Sequence, residues 1–93
     1  MKKKIITLDN ALVSCSAFSQ KLRQDLTSIH PEITFSEHTI KRKGESKDFL
    51  IVKRKGCQDF PIPIRAIYEE VREGLDYEYV LFDFERLLHK YSK

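Results

Sequence analysis

Apolar residues recur at spacings of three and four through the first third of the chain: Leu8, Ala11, Leu12, Cys15, Phe18, Leu22, Leu26 and Ile29. That spacing draws one stripe along a helix and predicts a single helix from about Asn10 to about Ser28. Gln20, Lys21, Arg23 and Gln24 fall on its other side. Asp9 or Asn10 can cap it, because a short side-chain oxygen accepts from the free amides of the first turn. His30-Pro31 ends it, since the residue before proline is pushed out of the α region.

Two extended runs follow, about Ile33 to Lys43 and about Asp48 to Lys55. The second contains Phe49-Leu50-Ile51-Val52, a strong β segment. Gly44-Glu45-Ser46-Lys47 reads as the turn between them. With Glu45-Ser46 at its centre, Lys43 faces Asp48, Ile40 faces Ile51 and Glu37 faces Arg54. Two of these pairs join opposite charges, each worth about 0.2–1 kcal/mol. Gly56 to Asp59 is a loop. Phe60-Pro61-Ile62-Pro63-Ile64 is extended, and its alternate prolines restrict it to an edge strand. A second helix is expected from about Ile64 to Glu73, with Pro63 near its first position and Gly74 as its stop. Ile64, Ile67, Tyr68, Val71 and Leu75 form its stripe.

In the last segment Tyr77, Val80, Leu81, Phe84, Leu87, Leu88 and Tyr91 repeat with helical spacing, and Asp76 can cap the start. Tyr77 to Phe82 is an equally good strand by local preference. The longer periodicity favours a helix from Tyr77 to Tyr91. The fold class is therefore α+β, in the order α-β-β-α-α. A two-stranded antiparallel sheet, with Phe60 to Ile64 as the candidate third strand, packs against helices. A hairpin alone is marginally stable, so helices must cover one face. Phe35, Leu50 and Val52 are the covered part, and the hairpin tip projects.

At 93 residues the chain has room for one domain and one core. Its hydrophobic fraction of 41% is ordinary for a globular domain and argues against disorder. The net charge of +3 says less than its distribution. Lys41 to Lys55 holds seven basic residues and two acidic, and Ile67 to Arg86 holds seven acidic and two basic. Cys15 and Cys57 make no disulfide framework and no Cys-x-x-Cys element. Cys15 reads as a buried thiol, and a reducing, cytoplasmic setting fits; a nucleus is the alternative in a eukaryote. The start, Met-Lys-Lys-Lys-Ile-Ile-Thr-Leu, is basic, but Asp9 and Asn10 interrupt it too early for a signal peptide. No run approaches a membrane span.

The candidate site is the hairpin: Lys41, Arg42, Lys43, Lys47, Phe49, Lys53, Arg54 and Lys55. In the register above, Lys41, Lys43 and Arg54 share one face. Arg42, Lys53 and Lys55 share the other with His38 and Phe49. A two-stranded ribbon fits a DNA major groove, its cations neutralise phosphates, and Phe49 offers a stacking surface to an unpaired base. Edge lysines also blunt aggregation, which is the plainer explanation. The salt-bridging acids Glu37 and Asp48 make the surface less purely cationic and keep a protein partner nearly level with nucleic acid.

Other chemistry is thin. His30, His38 and His89 with the two cysteines lack zinc-site spacing. Ser14, Ser16 and Ser19 lie in the first helix, where hydroxyls bond the backbone. Three glycines form no phosphate cradle. Glu69 and Glu70 are adjacent on a helix and diverge. The acidic stretch Glu69 to Glu85 reads as the outer faces of two helices. The two basic triplets, Lys41-Arg42-Lys43 and Lys53-Arg54-Lys55, resemble a bipartite nuclear-import signal, but such signals are flexible and these are on strands.

The expectation is a non-enzymatic binding protein with no cofactor, no metal and no membrane contact. Its first partner is nucleic acid, DNA or RNA. The alternative is a small interaction module, an inhibitor or adaptor of the phage or mobile-element type, acting on a nucleic-acid-handling protein. Tyr77, Tyr79, Phe82 and Tyr91 offer a homodimer contact.

Overall fold

The computed structural model describes residues 6–92. Most of the basic start, on which the expectation of no signal peptide rests, lies outside the described residues, as does Lys93.

The first apolar stripe is carried by two helices instead of one. Thr7 caps α1 (Leu8–Ala11), its Oγ1 accepting from the Asn10 amide at 3.3 Å. Ser14 caps α2 (Cys15–Ile29), its Oγ accepting from the Ala17 amide at 3.0 Å. The break corrects the single expected helix. A serine hydroxyl competes with the helical ladder for backbone amides. Val13, 76% exposed, makes no core contact that would favour continuing the helix through it. The stripe survives because Ala11, Phe18, Leu22 and Leu26 still reach one core.

The strands are β1 (Thr34–Arg42), β2 (Glu45–Lys53) and β3 (Phe60–Ile62), in the antiparallel order β1-β2-β3. The short third strand is the expected edge strand. Pro61 within it and Pro63 just after it lack amide hydrogens, so its outer edge offers little to a further strand. α3 (Ile64–Arg72) and α4 (Tyr77–Tyr91) complete an α+β domain with four helices and a three-stranded sheet among the described residues.

α3 is followed, past its cap residue Glu73, by Gly74, whose φ of 121° lets the chain turn back. The Gly74 amide donates to the Val71 carbonyl and the Leu75 amide to that of Glu70, closing carbonyls left open at the helix end. Asp76 caps α4, its Oδ1 accepting from the Glu78 amide at 3.1 Å. The helical reading of Tyr77 to Phe82 therefore holds over the strand reading.

The helices lie on one side of the sheet. Leu50 and Val52 of β2, with Phe60 and Ile62 of β3, point into them and are buried with Phe18, Leu22, Tyr68, Phe84 and Leu88. Polar ties join the helices. The Tyr68 hydroxyl donates to the Leu12 carbonyl at 3.1 Å, and the Tyr77 hydroxyl to Asp25 at 2.6 Å. Burial, and then that bond to Asp25, pushes the Tyr77 phenol far above its ordinary range. His30 caps the end of α2 and sits 2.6 Å from Glu85 of α4. Phe60 stacks on Tyr91 with ring centres 4.8 Å apart. No helix of the described residues is long and apolar enough to cross a membrane.

Ser19 is the exception to a satisfied interior. It is 4% exposed, and its hydroxyl has no hydrogen-bond partner among the described residues. An unpaired buried hydroxyl costs about 1–3 kcal/mol, and alanine is the better helix former. Ser19→Ala should therefore stabilise the fold by about 1 kcal/mol, raising Tm by about 4–8 °C. Thermal denaturation by circular dichroism checks this; a lower Tm would mean the hydroxyl has a partner after all.

Candidate functional site

The hairpin closes on two residues. Arg42 pairs with Glu45, which leaves Lys43 and Gly44 as the loop. Both have positive φ, 51° and 82°, as a two-residue type I′ turn requires. This corrects the turn centred on Glu45-Ser46. That centre would force two non-glycine residues into the left-handed region, whereas Gly44 enters it freely. The expected partners change with it. Thr39 faces Asp48, Ser36 faces Ile51, and Arg54 lies beyond the end of β2.

The partners shift by an even number of residues, so the side of each strand residue is unchanged. The face toward the helices carries Phe35, Glu37, Thr39 and Lys41 of β1 opposite Val52, Leu50, Asp48 and Ser46 of β2. The other face carries Thr34, Ser36, His38, Ile40 and Arg42 opposite Lys53, Ile51, Phe49, Lys47 and Glu45. No residue on this second face is buried, and Phe49 and Ile51 are half-buried. Three predicted site residues leave their expected places. Lys43 is in the turn. Lys55 lies in the loop after β2. Arg54 turns back, donating through Nε to the Cys57 sulfur at 3.2 Å and lying 3.5 Å from Glu32. The open face thus brings together Arg42, Lys47, Phe49 and Lys53, with Lys43 at the tip.

The two acids expected to neutralise the hairpin are engaged elsewhere. Asp48 accepts from the Thr39 hydroxyl at 2.9 Å and from Arg65 of α3 at 3.0 Å. Glu37 lies 3.7 Å from Arg23 of α2. Among the described residues, Lys41, Arg42, Lys43, Lys47, Lys53 and Lys55 form no ion pair. Arg65 and Arg23 are the residues that sequence reasoning missed. They reach the hairpin from helices, and only the fold shows which strand acids they meet.

Around the tip the open face curls into a hollow of about 360 Å³ lined by Ile40, Arg42, Lys43, Glu45, Lys47 and Phe49. A second hollow, of about 220 Å³, lies on the helical side beside Cys15, Ser19, Asp48 and Arg65. There burial pushes the Cys15 thiol up, with Arg65 opposing, so the thiol is held in its unreactive protonated form. His38 points from β1 to the opposite face. Among the described residues no cluster of His, Cys, Asp and Glu is suited to a metal ion. Of the four aromatics considered for a dimer contact, Tyr77 is buried and Tyr91 is half-buried against Phe60. Tyr79 and Phe82 stand on α4 at 49% and 62% exposure, their rings 6.5 Å apart.

The Thr39–Asp48–Arg65 cluster clips the projecting hairpin to α3. The Thr39 hydrogen bond first, and then Arg65, hold the Asp48 carboxyl below its ordinary range. A carboxylate whose pKa is lower when folded stabilises the fold above the ordinary carboxylate pKa, and that contribution fades as pH falls through the lowered value. Asp48→Asn should be less stable than the unchanged chain near neutral pH, and the gap should close in strong acid. Urea unfolding of both proteins at about pH 7 and about pH 2 measures it; a gap that persists in acid would remove Asp48 ionisation as its source.

Compared with protein-family profiles, with curated proteins and with solved structures, the chain matches none.

Proposed function

We propose that this chain is a binding protein, not an enzyme, that contacts nucleic acid electrostatically through its hairpin. The supporting observation is the set of hairpin cations that form no ion pair among the described residues, while Asp48 and Glu37 point to the other face and pair with Arg65 and Arg23. A cation already paired gains little from a phosphate; an unpaired one releases the phosphate's counterion when it binds. Arg42, Lys47 and Lys53 share the open face, and Lys43 extends it at the tip. Such a surface favours phosphate without reading bases strongly, so weak sequence preference belongs to the proposal. Cys15 and Cys57 are both free thiols, which supports a reducing, cytoplasmic setting.

The second reading, a small inhibitor or adaptor that binds a protein, rests on Tyr79 and Phe82. Two large apolar rings side by side on an exposed helix face are the kind of patch a protein partner or a second copy covers.

Affinity for nucleic acid should fall steeply with salt. Four phosphate contacts to a duplex correspond to a loss of about 10²-fold between about 50 and about 200 mM salt. Changing Arg42, Lys43, Lys47 and Lys53 all to Glu should abolish binding without unfolding the domain. Fluorescence anisotropy across a salt series measures both. Binding that ignores salt, or survives the charge reversal, would sink the proposal. Stoichiometric recovery of one protein, with no retention on heparin, would favour the second reading.

A further inference from the structure

The open face is not a plain row of cations. Phe49 stands opposite His38 and lies between Lys47 and Ile51 along β2, with Ile40 opposite Lys47. Half-buried and exposed apolar side chains therefore alternate with cations on this surface, and Lys47 and Phe49 also border a hollow of about 310 Å³ with Arg65, Ala66 and Glu69 of α3. At the tip the same face is concave. Its hollow of about 360 Å³ has Ile40 and Phe49 as its apolar part and Arg42, Lys43 and Lys47 against one carboxylate, Glu45.

A ribbon that enters a duplex groove has to present a ridge of donors to base edges. A concave surface with an aromatic side chain does the opposite: it receives a flat ring. Every base has such a ring, but only an unpaired base can leave its stack to offer it. The surrounding cations then lie where the sugar-phosphate chain on either side of that base would run.

We infer that the nucleic acid taken by this face is single-stranded, with one base stacked on Phe49 in the tip hollow and its flanking phosphates held by Arg42, Lys43 and Lys47. This rests on the nucleic-acid reading above and narrows it to one class of strand.

The chain contains no tryptophan, so Phe49→Trp places a single fluorescent reporter at the proposed stacking position. Single-stranded RNA, single-stranded DNA and duplex DNA of equal length are titrated against the unchanged chain, Phe49→Trp and Phe49→Ala. The expected result is tighter binding of one or both single strands than of duplex. Phe49→Ala should weaken single-strand binding about tenfold or more while changing duplex binding little, and single strands should quench the Phe49→Trp emission. Thermal denaturation of each variant separates a binding effect from a folding one. If Phe49→Ala does not fold, the quenching of Phe49→Trp decides alone.

Salt-sensitive binding in which duplex competes equally with single strands, or in which Trp emission is unchanged, overturns the single-strand inference and leaves the electrostatic reading standing. Absence of salt-sensitive binding to any of the three overturns both.

Discussion

A two-residue connection between antiparallel strands needs backbone that turns left-handed at both residues, and Lys43 and Gly44 supply it at φ 51° and 82°. That requirement fixes the register of β1 against β2, and much of the site follows from the register. It sets Thr39 opposite Asp48, so that one hydroxyl and one arginine can share that carboxylate. It brings Ile40 and Lys47 together beside Phe49 at the tip. Glycine enters the left-handed region without steric cost, whereas lysine pays about 1–2 kcal/mol there. The chain tolerates that strain because any other register would separate these pairs.

The other constraint is coverage. Phe18, Leu22 and Leu26 of α2, Tyr68 of α3 and Phe84 of α4 meet one face of a sheet whose third strand is only Phe60–Ile62. β3 pairs with Leu50 to Val52 alone, so the outer half of the hairpin has no third strand beside it. There Asp48 and Arg65 provide the contact that apolar packing provides nearer the base. The hairpin is anchored by a hydrophobic core at one end and steadied by a polar clip farther out. Its last residues are left to solvent.

The legible parts of the sequence were those written in periodicity. The spacing of Tyr77 to Tyr91 outlasted the local strand preference of Tyr77 to Phe82, because a helix of that length buries Val80, Phe84 and Leu88 along one line. The edge strand at Pro61 and the stop at Gly74 were legible because proline and glycine constrain backbone directly. The break before Ser14 was hidden, since a capping hydroxyl and an interior one look alike when the stripe runs through both. The turn was misread for a related reason. A turn centred on Glu45-Ser46 makes Gly44 a flank, although it is the residue in that stretch that reaches the left-handed region at no cost. The faces of the strands nevertheless came through, because an even shift of partners leaves the two-residue alternation intact. Arg23 and Arg65, contributed by α2 and α3, had no signature near the hairpin.

The pleat then sorts charge. Glu37 and Asp48 point toward the helices, where Arg23 and Arg65 meet them, and Arg42, Lys47 and Lys53 point away. The acidic residues of α3 and α4 belong to the layer behind the sheet. Packed layers are about 10 Å apart, and the screening length at physiological salt is about 8 Å. Helix carboxylates one layer back are therefore partly screened from the open face, whereas Glu69 of α3, which borders a hollow with Lys47 and Phe49, opposes the cations together with Glu45. In dilute salt, where screening extends to about 30 Å, the same carboxylates offset part of the attraction, but the net charge of +3 keeps a polyanion attracted and binding is still tightest there. A chain with a net charge of only +3 can thus present a locally cationic surface under the conditions in which the fold separates its charges by more than the solvent transmits.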